Sequence, residues 1–166
     1  MAAKTDFTAE EWKRLRDTPH LVAAAVMLAG RNGLVGGFQE ALAGGKQIYQ
    51  ITESGDPLFK ALASPDEAKE AQSTLRGMVS LKEAAEAPGK LREAALRSVA
   101  ESTRILESKG LTREASAFRK WCEDIGEAVA RAAKEGGFLG FGGTEVSEEE
   151  RKLLADLHAV TGAGPA

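Results

Sequence analysis

Apolar residues recur every three or four positions through much of this chain, and the polar residues between them carry signals that open and close helices. Near the N-terminus Thr8 is placed to cap a helix. Glu11 stands at N3 to complete a capping box, and Phe7 with Trp12 forms a hydrophobic staple. Leu21, Val22, Ala25, Val26 and Ala29 then make an apolar stripe, but Pro19 intervenes. The proline either kinks one helix or restarts a second. The glycine-rich stretch from Gly30 to Gly37 ends that helix. A segment from Phe38 to Thr52 follows, with Phe38, Leu42, Ile48 and Ile51 as its apolar positions. Its Gly44-Gly45 pair either permits close helix approach or splits the element.

Asp56-Pro57 and Ser64-Pro65 both read as a cap followed by an N1 proline, and Glu67 completes a box with Ser64. The helix from Pro65 is expected to run to about Ala87, with Ala68, Ala71, Leu75, Met78 and Val79 on one face, and Pro88-Gly89 marks a turn. From Leu91 the apolar row continues through Ala95, Val99 and Leu106, with Ser102 in the same row, and stops at Lys109-Gly110. Thr112 is expected to cap the next helix. Its Ala115, Phe118, Cys122, Ile125, Val129 and Ala132 form a bundle seam, with Trp121 at the margin. The short connection makes these two helices antiparallel neighbours. A last helix opens at Ser147, with Glu150 at N3, carries Leu153, Leu154, Leu157 and Val160, and closes at Gly162.

The pattern therefore predicts an all-α fold, an antiparallel bundle of about five to seven helices in a single domain over residues 1–166, with flexible ends at 1–6 and 163–166. Composition agrees. Ala and straight-chain residues dominate, and aromatics are 5%. Charge narrows the partners: the net charge is −3, so the basic footprint of a nucleic-acid binder is absent. The sequence holds no apolar run of membrane-spanning length, and its N-terminus lacks the apolar region of a secretory leader. The single cysteine, Cys122, cannot form an internal disulfide, which suits a cytoplasmic setting.

Candidate chemistry is sparse. Lys46 follows Gly44-Gly45, but the positions a phosphate-binding loop requires hold Glu40 and Gln47. His20 has Asp17 three residues before it, with Pro19 between. His158 has no ligand type at helical spacing. Glu123, Asp124 and Glu127 read as a solvated acidic face that could still converge with groups from other helices. Glu10, Glu11, Lys13, Arg14 and Arg16 read as a solvated face with i,i+3 and i,i+4 pairs. Cys122 falls on the seam and reads as a packing thiol. No spacing indicates catalytic residues, a cofactor or a metal.

One irregularity remains. Gly136–Gly143 has five glycines in eight residues, bracketing Phe138, Leu139 and Phe141. These three side chains either plug the end of the bundle or form a contact surface for a partner. The stretch from Ala132 through Glu150, with Phe7-Thr-Ala-Glu-Glu-Trp12, resembles a group of small uncharacterised bacterial all-helical proteins. That resemblance implies a helical fold and transfers no activity. A weaker similarity is to tellurite-resistance-type helical domains, in which an Asp-Gly-x-Val-Ser turn opens a helix near a carboxylate metal site. Aligned on Val146-Ser147, the Asp-Gly positions here are Gly143-Thr144, so the acidic ligand is missing. The expected function is non-catalytic, through contacts with itself or another protein at Phe138, Leu139 and Phe141. The alternatives are a carboxylate metal site and a small apolar ligand held in the bundle.

Overall fold

The computed structural model describes residues 2–29, 56–78, 88–135 and 148–162. A 3-10 turn, Lys4–Asp6, leads into six helices: α1 Ala9–Ala29, α2 Pro57–Leu62, α3 Pro65–Met78, α4 Pro88–Ser108, α5 Thr112–Glu135 and α6 Glu148–Gly162. Among the described residues there is no strand, as an all-α bundle requires. Gly30 to Gly37, the Phe38–Thr52 segment with Gly44-Gly45 and Lys46, Val79 to Ala87, the Gly136–Gly143 stretch and Ser147 lie outside the described residues.

Helix α1 begins as its sequence dictates. The Glu11 amide donates to Thr8 Oγ1 at 3.2 Å, and Glu11 Oε2 accepts from the Thr8 amide at 2.8 Å. Phe7 and Trp12 pack with ring centroids 5.8 Å apart and their planes tilted by 47°. Pro19 does not divide the helix, which is continuous through Ala29. An interior proline costs about 3 kcal/mol. Burial offsets it, because every residue from Thr18 to Val26 is buried. The run Leu21-Val-Ala-Ala-Ala-Val26 is apolar on all sides, which makes α1 the central helix. It packs on α3, α4, α5 and α6.

The contacts Glu11–Lys109, Arg14–Glu101 and Thr18 with Ser98 and Ser102 show that α1 and α4 run antiparallel. The α4–α5 hairpin closes on Gly110 at φ +75°, with the Gly110 amide donating to Glu107 O and the Leu111 amide to Leu106 O. This bond pair is the Schellman arrangement, and it needs a left-handed residue where only glycine is unstrained.

Four sequence expectations are corrected. Pro88-Gly89 is not a turn. It is the first part of α4, where the fixed φ of proline suits N1. Thr112 is the first helical residue and not the cap, since the Leu111 carbonyl already accepts from the Ala115 amide. Trp121 is not marginal but only 5% exposed, because α2 brings Phe59 against it with centroids 5.4 Å apart. Glu67 closes only half of the box with Ser64: its amide donates to Ser64 Oγ at 3.5 Å, but the Ser64 amide donates to Ala61 O instead of the Glu67 carboxylate. Its carboxylate turns away to Lys4 and Arg16. The core that results joins Leu15, Val22, Val26, Leu58, Leu62, Val99, Leu106, Phe118, Ile125, Leu153 and Leu157, with Cys122 sealed inside it.

Candidate functional site

The densest polar arrangement lies between the first half of α1 and α3. Arg16 sits on the same helical row as Trp12 and His20, four residues from each, so the row that docks α1 also carries a guanidinium inward. Arg16 Nε donates to Asp17 Oδ1 at 2.7 Å, Nη2 donates to Thr74 Oγ1 at 3.3 Å, and Nη1 lies 3.6 Å from Glu67 Oε2. Lys4, from the N-terminal turn, pairs with Glu67 Oε1 and stands 5.5 Å over the Trp12 ring. The Arg16, Asp17 and Glu67 side chains are 10%, 14% and 11% exposed. Two cations and two carboxylates thus balance, three of them shielded from water and Lys4 reaching in from the solvent side.

The electrostatics follow from that burial. For Glu67, burial works to raise the carboxyl, but Lys4, the Trp12 N–H and Arg16 hold it below its ordinary value. Asp17 goes the other way. Burial raises it, and the opposing pulls of Arg16, Lys13 and Thr74 do not cancel the effect. Arg16 is raised: burial opposes its charge, yet Asp17 and Glu67 outweigh that. His20 is pushed down to about 4, by burial first and then by Arg16, so its imidazole is neutral at pH 7. Perturbed groups concentrate at functional sites and also in structural ion-pair networks. Here Arg16 Nε and Nη2 donate to Asp17 and Thr74 and Nη1 faces Glu67 Oε2 at 3.6 Å, so the guanidinium is directed at side chains of its own chain.

The solvated-face reading of the α1 charges therefore needs revision. Arg16 is buried, Arg14 reaches Glu101 on α4, and Glu11 reaches Lys109 beyond α4. Glu11 and Arg14 pair between elements, Arg16 pairs both with Asp17 of its own helix and with Glu67 on α3, and Glu10 and Lys13 are exposed as a solvated face requires. Glu123 is likewise not simply solvated, because it bonds His158 Nδ1 at 2.5 Å across α5 and α6. Asp124 bonds Lys120 at 2.9 Å. Among the described residues no three His, Cys, Asp or Glu side chains gather as a metal site would need. Cys122 is fully buried, and burial pushes its thiol up, away from the thiolate. Among the described residues no helix is long and apolar enough to cross a membrane. Phe138, Leu139 and Phe141 lie outside the described residues.

The Arg16 cluster was not foreseen as a site, although one signal was present. On the spacing Trp12, Arg16, His20, Ala23 a charged residue and a histidine fall between apolar positions. Its partners, Glu67 and Thr74, are more than 50 positions away, and nothing local marks them. Fold and site together define an all-α helical bundle with an internally balanced polar cluster. Compared with protein-family models, curated proteins and solved structures, the chain matches none.

Proposed function

We propose that this chain is a non-catalytic helical-bundle protein that acts through contacts with another protein or with a second copy of itself. The observation that carries this reading is the engagement of the reactive side chains among the described residues. Asp17 and Glu67 both pair with Arg16, His20 is buried and neutral, and Cys122 is sealed in the core. Catalysis needs such groups to face a substrate.

A second observation narrows where the contact falls. Among the described residues no Leu, Ile, Val, Met, Phe or Trp side chain is exposed. Apolar anchors dominate the energetics of protein contacts. The sequence offers them instead at Phe138, Leu139 and Phe141, between glycines. A carboxylate metal site has less support, because Glu123 and Asp124 are engaged with His158 and Lys120. A reducing cytoplasm suits a chain whose only thiol is free.

The test compares the full chain with Phe138→Ser/Phe141→Ser by light scattering coupled to size exclusion, and by co-purification from the native host. The reading expects the double variant to lose self-association or a specific bound partner while its helical circular dichroism is unchanged. Identical assembly and identical partners for both chains would reject the role given to these residues.

A further inference from the structure

The buried middle of α1 holds a polar contact that burial energy alone does not call for. Thr18 Oγ1 lies 2.8 Å from Arg14 O, 2.5 Å from Ser98 Oγ and 2.9 Å from Ser102 Oγ, with Ser98 O at 3.5 Å. Thr18 and Ser102 are fully buried, and Ser98 is nearly so. Ser98 and Ser102 are one turn apart on α4, so Thr18 sits between them. Apolar residues of the same shape at these three positions would avoid the desolvation of three hydroxyls.

The flanking surfaces show what the hydroxyls add. Beyond Thr18, α1 presents Val22, Ala23, Ala24, Ala25 and Val26, and the facing row on α4 is Leu91, Ala95 and Val99. Apolar contact is non-directional, and side chains this small pack similarly one turn up or down. The hydroxyls do not. A slide of α4 by one turn places Thr18 between Ala94 and Ser98, or between Ser102 and Leu106. In either case one buried serine loses its partner. Arg14–Glu101 and Glu11–Lys109 lie along the same seam, but their side chains are between 27% and 46% exposed, where solvent weakens the discrimination they supply.

We propose that the Thr18–Ser98–Ser102 cluster is a register lock, which selects the native alignment of α1 on α4 over alignments one helical turn away. A single buried polar residue does the same in coiled coils, at a cost in stability.

The test removes all three hydroxyls from the full chain as T18V/S98A/S102A, with T18S as the variant that keeps the hydroxyl at position 18. The lock predicts that the triple variant melts at or above the wild-type temperature. Its amide NMR spectrum should show two or more sets of signals for α1 and α4. Nuclear Overhauser contacts from the side chain at position 18 should reach residues 94 or 106 as well as 98 and 102. T18S should show one set. A single sharp set for the triple variant, with contacts only to 98 and 102, would overturn the proposal. So would a fall in melting temperature or failure to fold, since the hydroxyls would then supply stability and not selection. Doubled signals in T18S would overturn it as well.

Discussion

Replacing Arg16 by methionine keeps most of the aliphatic stem and removes the guanidinium. Asp17 and Glu67 then stay in an environment where their side chains are 14% and 11% exposed, and Thr74 loses the donor at 3.3 Å. Removing one partner of a buried ion pair costs about 3–5 kcal/mol, because an uncompensated charge is left behind. The lower end applies here, since Lys4 remains on Glu67 from the solvent side, with its own side chain 62% exposed. A loss of about 3 kcal/mol is a large share of the roughly 5–15 kcal/mol that a domain typically has. It corresponds to a melting-temperature drop of about 6–12 °C for a chain of this size. Urea denaturation followed by circular dichroism measures it, with the slope m expected to stay at its wild-type value. Adding Asp17→Asn to Arg16→Met should recover part of the loss, because the carboxylate that Arg16 held at 2.7 Å is then gone. A loss below about 1 kcal/mol, the range of solvent-exposed pairs, would refute the claim that the cluster is dry enough to matter.

Gly126 lies where α5 packs on α6: an added Cβ would stand 3.1 Å from Leu157 Cδ1 and 3.4 Å from Leu154 Cδ2. Gly126→Ala should be near neutral, since the helix-propensity gain of about 1 kcal/mol meets a flexible leucine tip that must give way. Gly126→Val should cost about 1–3 kcal/mol by overpacking; equal denaturation midpoints for valine and wild type would contradict the contact. His158 is raised above 6.5 by its bond to Glu123, then by that residue's charge and by Glu127. Its contribution is therefore full below pH 6.5 and lost as pH rises through the raised value. An NMR titration should find the raised value and Glu123→Gln should lower it; an unchanged titration in that variant would exclude Glu123 as the cause. Cys122 should react with a thiol reagent only at the rate of unfolding, and immediate labelling of the native chain would show that the core around it is open.

Particular residues show how far local reasoning reached. The Thr8–Glu11 box, the Phe7–Trp12 staple, the Asp56-Pro57 start and the Gly110 stop are all encoded within a few positions, and the structure contains each one. The row Leu91, Ala95, Val99, Ser102, Leu106 was legible for the same reason, since helical period alone puts these residues on one face. The burial of Trp121 and the direction of the Glu67 carboxylate are not legible locally, and for one reason. Where Trp121 lies depends on Phe59, and where Glu67 points depends on Lys4 and Arg16. Those partners lie more than 50 residues away in sequence.

Local pattern alone carries the all-α class, the starts at Thr8 and Asp56, the stop at Gly110, and the inward placement of Ala68, Ala71 and Leu75 on α3, Leu91, Ala95, Val99 and Leu106 on α4, Ala115, Phe118, Cys122, Ile125 and Val129 on α5, and Leu153 and Leu157 on α6. These follow from interactions within one or two helical turns, where spacing is the whole of the geometry. Packing between helices sets the rest: α1 is central and continuous across Pro19, Arg16 is paired inside the protein, and three hydroxyls meet between α1 and α4. Each of these depends on which helix lies against which. A proline or a buried charge that is costly in isolation becomes tolerable when burial and partners from other helices compensate it, and no local window contains those partners.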